Sequence, residues 1–142
     1  MARTRTEERR TIERFRERYG RDPNPAAQVV ERAGIGGNVG SNGYTTVAQA
    51  DRLARLLRLR PGMRLLDVGC GQGYPGVYLA RKTGCEVIGS DLPIASLRTA
   101  RARAEDGGGR LARRSAFVAA SAVHLPFRAQ SFDAIVHTDL LC

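Results

Sequence analysis

Apolar and polar positions change their period several times along this chain. Over residues 4–19, Ile12, Phe15 and Tyr19 recur at spacings of three and four among charged residues. That spacing predicts a helix with one apolar face. The stretch "RDPNPAAQVVERAG" predicts a turn and a second short helix, with Asn24 as N-cap, Pro25 as first residue and Gly34 as stop. Five glycines from Gly34 to Gly43 then erase any period, so this stretch is a loop. Thr46 can cap a third helix whose stripe is Val47, Ala50, Leu53, Ala54 and Leu57. Arg52, Arg55 and Arg58 face away, and Pro61-Gly62 ends it.

From residue 63 short apolar runs alternate with helical patterns. Residues 63–68 read as a strand, 75–82 as a helix, 86–90 as a strand and 93–104 as a helix; 116–120 and 132–138 are extended. This alternation predicts an α/β fold, a Rossmann-like parallel sheet with flanking helices behind an N-terminal helical extension. "EDGGGRLARR" (105–114) reads as a flexible polar surface loop.

The chemistry concentrates in "LLDVGCGQGYPGVYLA", residues 65–80. A strand ends at Asp67-Val68, Gly69, Gly71 and Gly73 follow at alternate positions, and a helix begins near Pro75. Ligands of parallel sheets sit beyond the carboxyl ends of the strands. Glycine there accepts unusual backbone angles and lets a ligand lie against the main chain. The helix start directs free N–H groups at whatever lies above. The second strand ends at Asp91, 24 residues after Asp67, where a carboxylate can accept hydrogen bonds from both hydroxyls of a ribose. A dinucleotide turn asks for a third glycine where Tyr74 stands, which disfavours a nicotinamide oxidoreductase.

The GxGxG spacing, with an acid two residues before the first glycine, resembles motif I of the class I S-adenosyl-L-methionine-dependent methyltransferases. The resemblance spans residues 63 to 142: "VIGSDL" is similar to their ribose-binding strand end, and "SAVHLPFRAQSFDAIVHTDLL" to their later motifs. The "LPF…SFD" element is similar to that of small-molecule methyltransferases.

The resemblance implies that Gly69, Gly71 and Gly73 let the backbone pass beside the methionine part of the cofactor. It implies that Asp67 orients the amino group and that Asp91, with Leu92, binds the ribose. Ser121 stands where many relatives place an acid for the adenine amino group, and the backbone of Ala122 can reach the same ring. His137 and Thr138 fall where main-chain carbonyls touch the cofactor.

Methyl transfer from a sulfonium needs little acid–base equipment, since holding nucleophile, methyl and sulfur in line supplies most of the rate. His137 is the one candidate base, and simple packing at a strand end is the competing role. His124 belongs to a loop. The block after the fourth strand is "HTDLLC", which lacks the Asn/Asp-Pro-Pro-aromatic signature of amino-directed base methylases and the Pro-Cys of base-carbon methylases. A small-molecule acceptor is therefore expected.

Bulk properties agree. The net charge is +9, and 22 of the 23 basic residues are arginine, Lys82 being the only lysine. The arginines are scattered and no aromatic residues interleave with them, so nucleic acid is not the favoured partner. No apolar run is long enough to cross a bilayer and no apolar signal core follows the N-terminus, which predicts a cytoplasmic protein. Cys70, Cys85 and Cys142 form neither a CxxC nor a Cys/His cluster, so no metal and no disulfide framework is expected.

Residues 1–60 thus read as a helical extension whose glycine-rich loop is either a lid or substrate wall, with Tyr44 a candidate contact, or a flexible connector. Residues 61–142 read as the N-terminal half of a cofactor-binding methyltransferase domain. Enzymes of this kind continue past the point where this sequence stops, so the sheet is expected to be truncated after the fourth strand. That strand becomes an open edge, with Ile135, Val136, Leu140 and Leu141 uncovered. Such a fragment would self-associate or pair with a completing chain through that edge. A non-catalytic, partner-dependent cofactor-binding module is the alternative to an active enzyme.

Overall fold

The computed structural model describes residues 25–41 and 43–139, together with Thr6, Arg9, Arg10 and residues 12–14. Two helices, α1 (Pro25–Ile35) and α2 (Val47–Leu56), lead into strand β1 (Arg64–Val68). Helix α3 (Gly76–Thr83), strand β2 (Glu86–Asp91), helix α4 (Ile94–Asp106), the short α5 (Gly109–Arg113) and strands β3 (Ser115–Ala119) and β4 (Ala134–Val136) follow. The described residues of the helix expected over 4–19 are helical. Phe15 and Tyr19 of its apolar face lie outside the described residues, as do Asn24, Leu140, Leu141 and Cys142.

The four strands form one sheet in the order β3-β2-β1-β4, with every pairing parallel. β1 is central, and Leu65, Leu66 and Asp67 on both of its faces are buried, as a parallel sheet covered on two sides requires. From β1 the chain builds outward to β2 and β3, then returns to lay β4 on the opposite side. The strand order reverses beside β1, the position at which ligands of such sheets bind beyond the carboxyl ends.

Local chemistry sets the element ends. Thr46 caps α2 in a capping box: its side chain accepts from the Gln49 N–H, and the Gln49 side chain accepts from the Thr46 N–H. Ala50 and Ala54 then pack with Leu59, Leu65, Tyr74 and Leu79 in the core. Asp51 fastens α2 to α3 by accepting from the Tyr78 hydroxyl at 2.6 Å and from Lys82 at 2.6 Å. Helix α3 stops at Gly84, which is left-handed (φ 78°).

Four expectations need correction. Helix α1 runs through Gly34 and stops at Gly36, the residue that takes the left-handed conformation (φ 90°). The stretch 105–114 is not a loop throughout, since it holds α5, whose Leu111 is 5% exposed and joins the core. β4 is three residues long, shorter than expected. Of its apolar residues Ile135 is uncovered, 60% exposed, whereas Val136 is buried at 5%.

The "LPF…SFD" element builds the start of β4. Phe127 meets Phe132 edge to face at 4.9 Å. Asp133 accepts from the Arg64 N–H at 2.7 Å through its carboxylate and donates its own N–H to the Arg64 carbonyl at 2.9 Å. Both bonds lie at the amino end of β1, away from the glycine turn. Among the described residues no helix is long and apolar enough to cross a membrane, and no cluster of three or more metal-ligating side chains occurs.

Candidate cofactor site

Residues 69–73 turn sharply from β1 towards α3. Gly69, Gly71 and Gly73 have φ of 72°, 51° and 99°, a left-handed region that side chains disfavour by about 1–2 kcal/mol. The turn is sewn to the end of β2. The N–H groups of Gly69 and Cys70 both donate to the Ser90 carbonyl, at 2.8 and 3.0 Å. The Gly71 N–H donates to Asp91 Oδ2 at 2.6 Å. Gly73 serves packing as well, because a Cβ there would lie 2.9 Å from Val77 Cγ2 and 3.1 Å from Ala100 Cβ.

Asp67 lies beneath the turn, 1% exposed. Its Oδ2 accepts from the Gly76 N–H, the first of α3, at 2.9 Å. Burial pushes its carboxyl up to about 7, against the opposing pull of that N–H and with a small further push from Asp91. Gly76 makes the contact feasible, since a Cβ would stand 2.6 Å from Asp67 Oδ2. Sequence reasoning passed over Gly76, although it is the fourth glycine of the run.

Asp91 is half-buried. Its Oδ2 holds Gly71 and its Oδ1 accepts from the Leu92 N–H at 2.7 Å, which leaves a further lone pair on each oxygen for a ligand hydroxyl. Burial raises its pKa, and the two N–H donors oppose that rise. The donor and acceptor set therefore fits a ribose.

Beside Asp91, β3 ends at its register partner Ala119, and the Ala120 N–H donates to the Asp91 carbonyl at 3.0 Å. Ser121 follows. Its hydroxyl accepts from the Val123 N–H at 3.4 Å and its carbonyl from the His124 N–H at 2.9 Å, so the serine shapes a turn of its own. Ala122 and His124 are exposed.

On the other side, Val136 of β4 pairs with Asp67, so the exposed His137 emerges level with the end of β1. The turn 69–73, Asp91 with Leu92, Ser121 with Ala122, and His137 thus stand in one row along the carboxyl edge.

The described residues of the glycine-rich segment, 36–41 and 43–45, are tied down by three charged side chains. Glu31 of α1 accepts through Oε1 from the Val39 and Ser41 N–H groups, at 3.0 and 2.8 Å. Arg103 of α4 donates to the Gly40 carbonyl at 2.8 Å. Asp139, just past β4, accepts through Oδ2 from the Tyr44 and Thr45 N–H groups and the Thr45 hydroxyl, at 3.0, 3.2 and 3.0 Å. Tyr44 itself is 81% exposed. None of these three anchors was singled out from sequence, because each acts on residues far away in the chain. Behind the segment lies a cavity of about 370 Å³ lined by Glu31, Val39, Gly73, Arg81, Arg103 and Asp106 among others, and Asp67, Asp91 and Ser121 are not in its wall. It meets the row described above only at Gly73.

Comparison with known proteins sharpens the picture. The model of a methyltransferase domain family matches residues 65–142. The chain is 42% identical over 85 residues to methyltransferase GfsG of Streptomyces halstedii, covering 60% of this chain and 30% of that protein. It is 35% identical over 102 residues to the 24-methylenesterol C-methyltransferase 2 of Oryza sativa subsp. japonica, covering 72% and 28%. A SAM-dependent methyltransferase of Thiobacillus denitrificans, solved in complex with S-adenosyl-L-homocysteine, shares the fold with a TM-score of 0.59 and 25% identity, over 84% of this chain and 45% of the other. The matched part of this chain is thus less than a third of either curated relative.

Proposed function

This chain belongs to the class I S-adenosyl-L-methionine-dependent methyltransferases, and we propose that it binds that cofactor along the 69–73 turn and serves methyl transfer to a small-molecule acceptor. The observation that carries this reading is the pair Asp67 and Asp91. They lie at the carboxyl ends of adjacent parallel strands, and backbone N–H groups hold them, that of Gly71 within the turn of three left-handed glycines and that of Gly76 just past it. When bound, the cofactor supplies a methyl on a positive sulfur, which keeps the C–S electron pair as the acceptor's nucleophile takes the methyl and gives up a proton.

The residues of this chain then bind and orient. Asp91 takes the ribose hydroxyls on its free lone pairs, with Leu92 beside it. Gly69, Gly71 and Gly73 let the backbone approach the methionine part, whose amino group Asp67 orients through the turn. Ser121 and Ala122 border the adenine, and the serine offers it a neutral contact where a carboxylate would add charge. His137, at the end of β4, is the candidate to receive the acceptor's proton. A small acceptor draws support from the rice relative, whose name specifies a sterol, and from the absence of base-methylase signatures in His137, Thr138 and Asp139.

Calorimetry with S-adenosyl-L-homocysteine tests the reading. Asp91→Ala removes charge-assisted hydrogen bonds worth about 1.5–3 kcal/mol each, so affinity falls at least about tenfold while NAD shows no binding to either form. Equal affinity in the two forms, or tight NAD binding, refutes it. Transfer of a labelled methyl to a candidate acceptor then tests turnover.

A further inference from the structure

Arg103 touches two segments that the proposed function otherwise keeps apart. Its Nη1 donates to the Gly40 carbonyl at 2.8 Å and to the Gln72 carbonyl at 2.9 Å, and its Nη2 donates to Gln72 Oε1 at 2.8 Å. Gln72 sits inside the glycine turn, next to Gly71, whose N–H holds Asp91. Gly40 sits inside the segment 36–45, flanked by the two N–H groups that Glu31 holds. One planar guanidinium therefore bridges the cofactor turn to the segment in front of it.

The local sequence makes room for this bridge. Gly40 is left-handed (φ 71°), and a Cβ there would overlap the Arg103 guanidinium. Gly43 is confined in the same way against the Asp139 carboxylate. Residues 38–40 line the cavity of about 370 Å³, Val39 packs against the core, and the polar anchors hold the backbone of residues 39–41. A segment held by a few charge-assisted bonds responds to small movements of the groups that make them.

We propose that Arg103 is a positioning residue that couples occupancy of the 69–73 turn to the order of residues 39–41 and 43–45, the latter anchored at Asp139 two residues beyond His137. This rests on the reading of that turn as the cofactor site. Two of the three hydrogen bonds of the guanidinium end on Gln72, so any fixing of the turn by a ligand also fixes Arg103, and through it Gly40. Arginine is needed because a lysine ammonium lacks the flat fork that spans the two segments.

Hydrogen exchange by mass spectrometry on the whole chain, with and without S-adenosyl-L-homocysteine, tests the coupling. In the unaltered protein saturating ligand should slow exchange over 39–41 and 43–45 by about fivefold or more, the lower range of site-to-site coupling. Arg103→Lys should abolish that ligand-dependent slowing while β1 and β2 stay as protected as before, and it should weaken binding about fivefold. Gln72→Ala, which removes only the Nη2 bond, should give a partial loss and guards against a variant that fails to fold. Ligand-dependent slowing that persists at full size in Arg103→Lys, or none in the unaltered protein despite measured binding, overturns the coupling alone. No binding to the unaltered protein by calorimetry overturns the function and the coupling together.

Discussion

Asp67 and Asp91 lie at the ends of neighbouring strands in different surroundings, and burial raises the pKa of both. Asp91 reaches solvent, whereas Asp67 is sealed under the turn with one N–H for company. An unfolded chain releases the Asp67 proton near 3.8, and the folded chain keeps it to about 7. Between those values the native state binds more protons, so this residue makes the protein less stable as pH rises through the window. At about 1.4 kcal/mol per unit the full span is worth on the order of 4 kcal/mol. Asp67→Asn keeps an acceptor for Gly76 but has no proton to lose. Urea unfolding at pH 5 and pH 8, which spans about two units of that window, should therefore show the unaltered protein losing roughly 3 kcal/mol more than the variant. Parallel losses in the two proteins would show that burial of Asp67 costs little.

At the scale of elements, two glycines at helix ends, Gly34 next to last in α1 and Gly76 first in α3, make opposite predictions for the same substitution. Alanine is the better helix former by about 1 kcal/mol. At Gly34 a Cβ meets nothing within 4 Å, so Gly34→Ala should raise stability by up to about 1 kcal/mol. At Gly76 a Cβ would press on Asp67 Oδ2 at 2.6 Å and Val87 Cγ2 at 2.9 Å, and overpacking costs about 1–3 kcal/mol. Gly76→Ala should therefore lower the thermal midpoint despite its propensity, and a rise would refute the contact.

The same pair shows what the pattern of residues could reveal about elements. Thr46 and Gln49, three residues apart, announce the start of α2, because capping is local chemistry. Gly34 and Gly36 are alike on paper, and only the backbone angle tells which one ends α1. α5 escaped notice because one turn of helix with one apolar residue, Leu111, has no period to read. Arg103 was indistinguishable from the other arginines, since its bonds reach 63 and 31 residues away.

For the whole molecule, the strand order β3-β2-β1-β4 brings the candidate site residues to one edge, and it ties proton binding to ligand binding. A carboxyl that titrates near neutrality lies under a turn proposed to receive a ligand bearing a positive ammonium group. That charge favours the ionised form of Asp67, so ligand binding should release a proton, and affinity should rise as pH climbs from about 6 to 8. The unliganded protein meanwhile loses stability over the same range, so the stability added by saturating ligand should grow with pH. At a hundredfold excess over Kd a ligand adds about 2.7 kcal/mol, enough to resolve the trend by thermal unfolding. Calorimetry in buffers of different ionisation heats reads the proton directly. A sizeable fraction of one proton should be released near pH 7 in the unaltered protein and none in Asp67→Asn. Equal release from both would move the linked group elsewhere, and no release from either would place the ligand's positive charge away from Asp67.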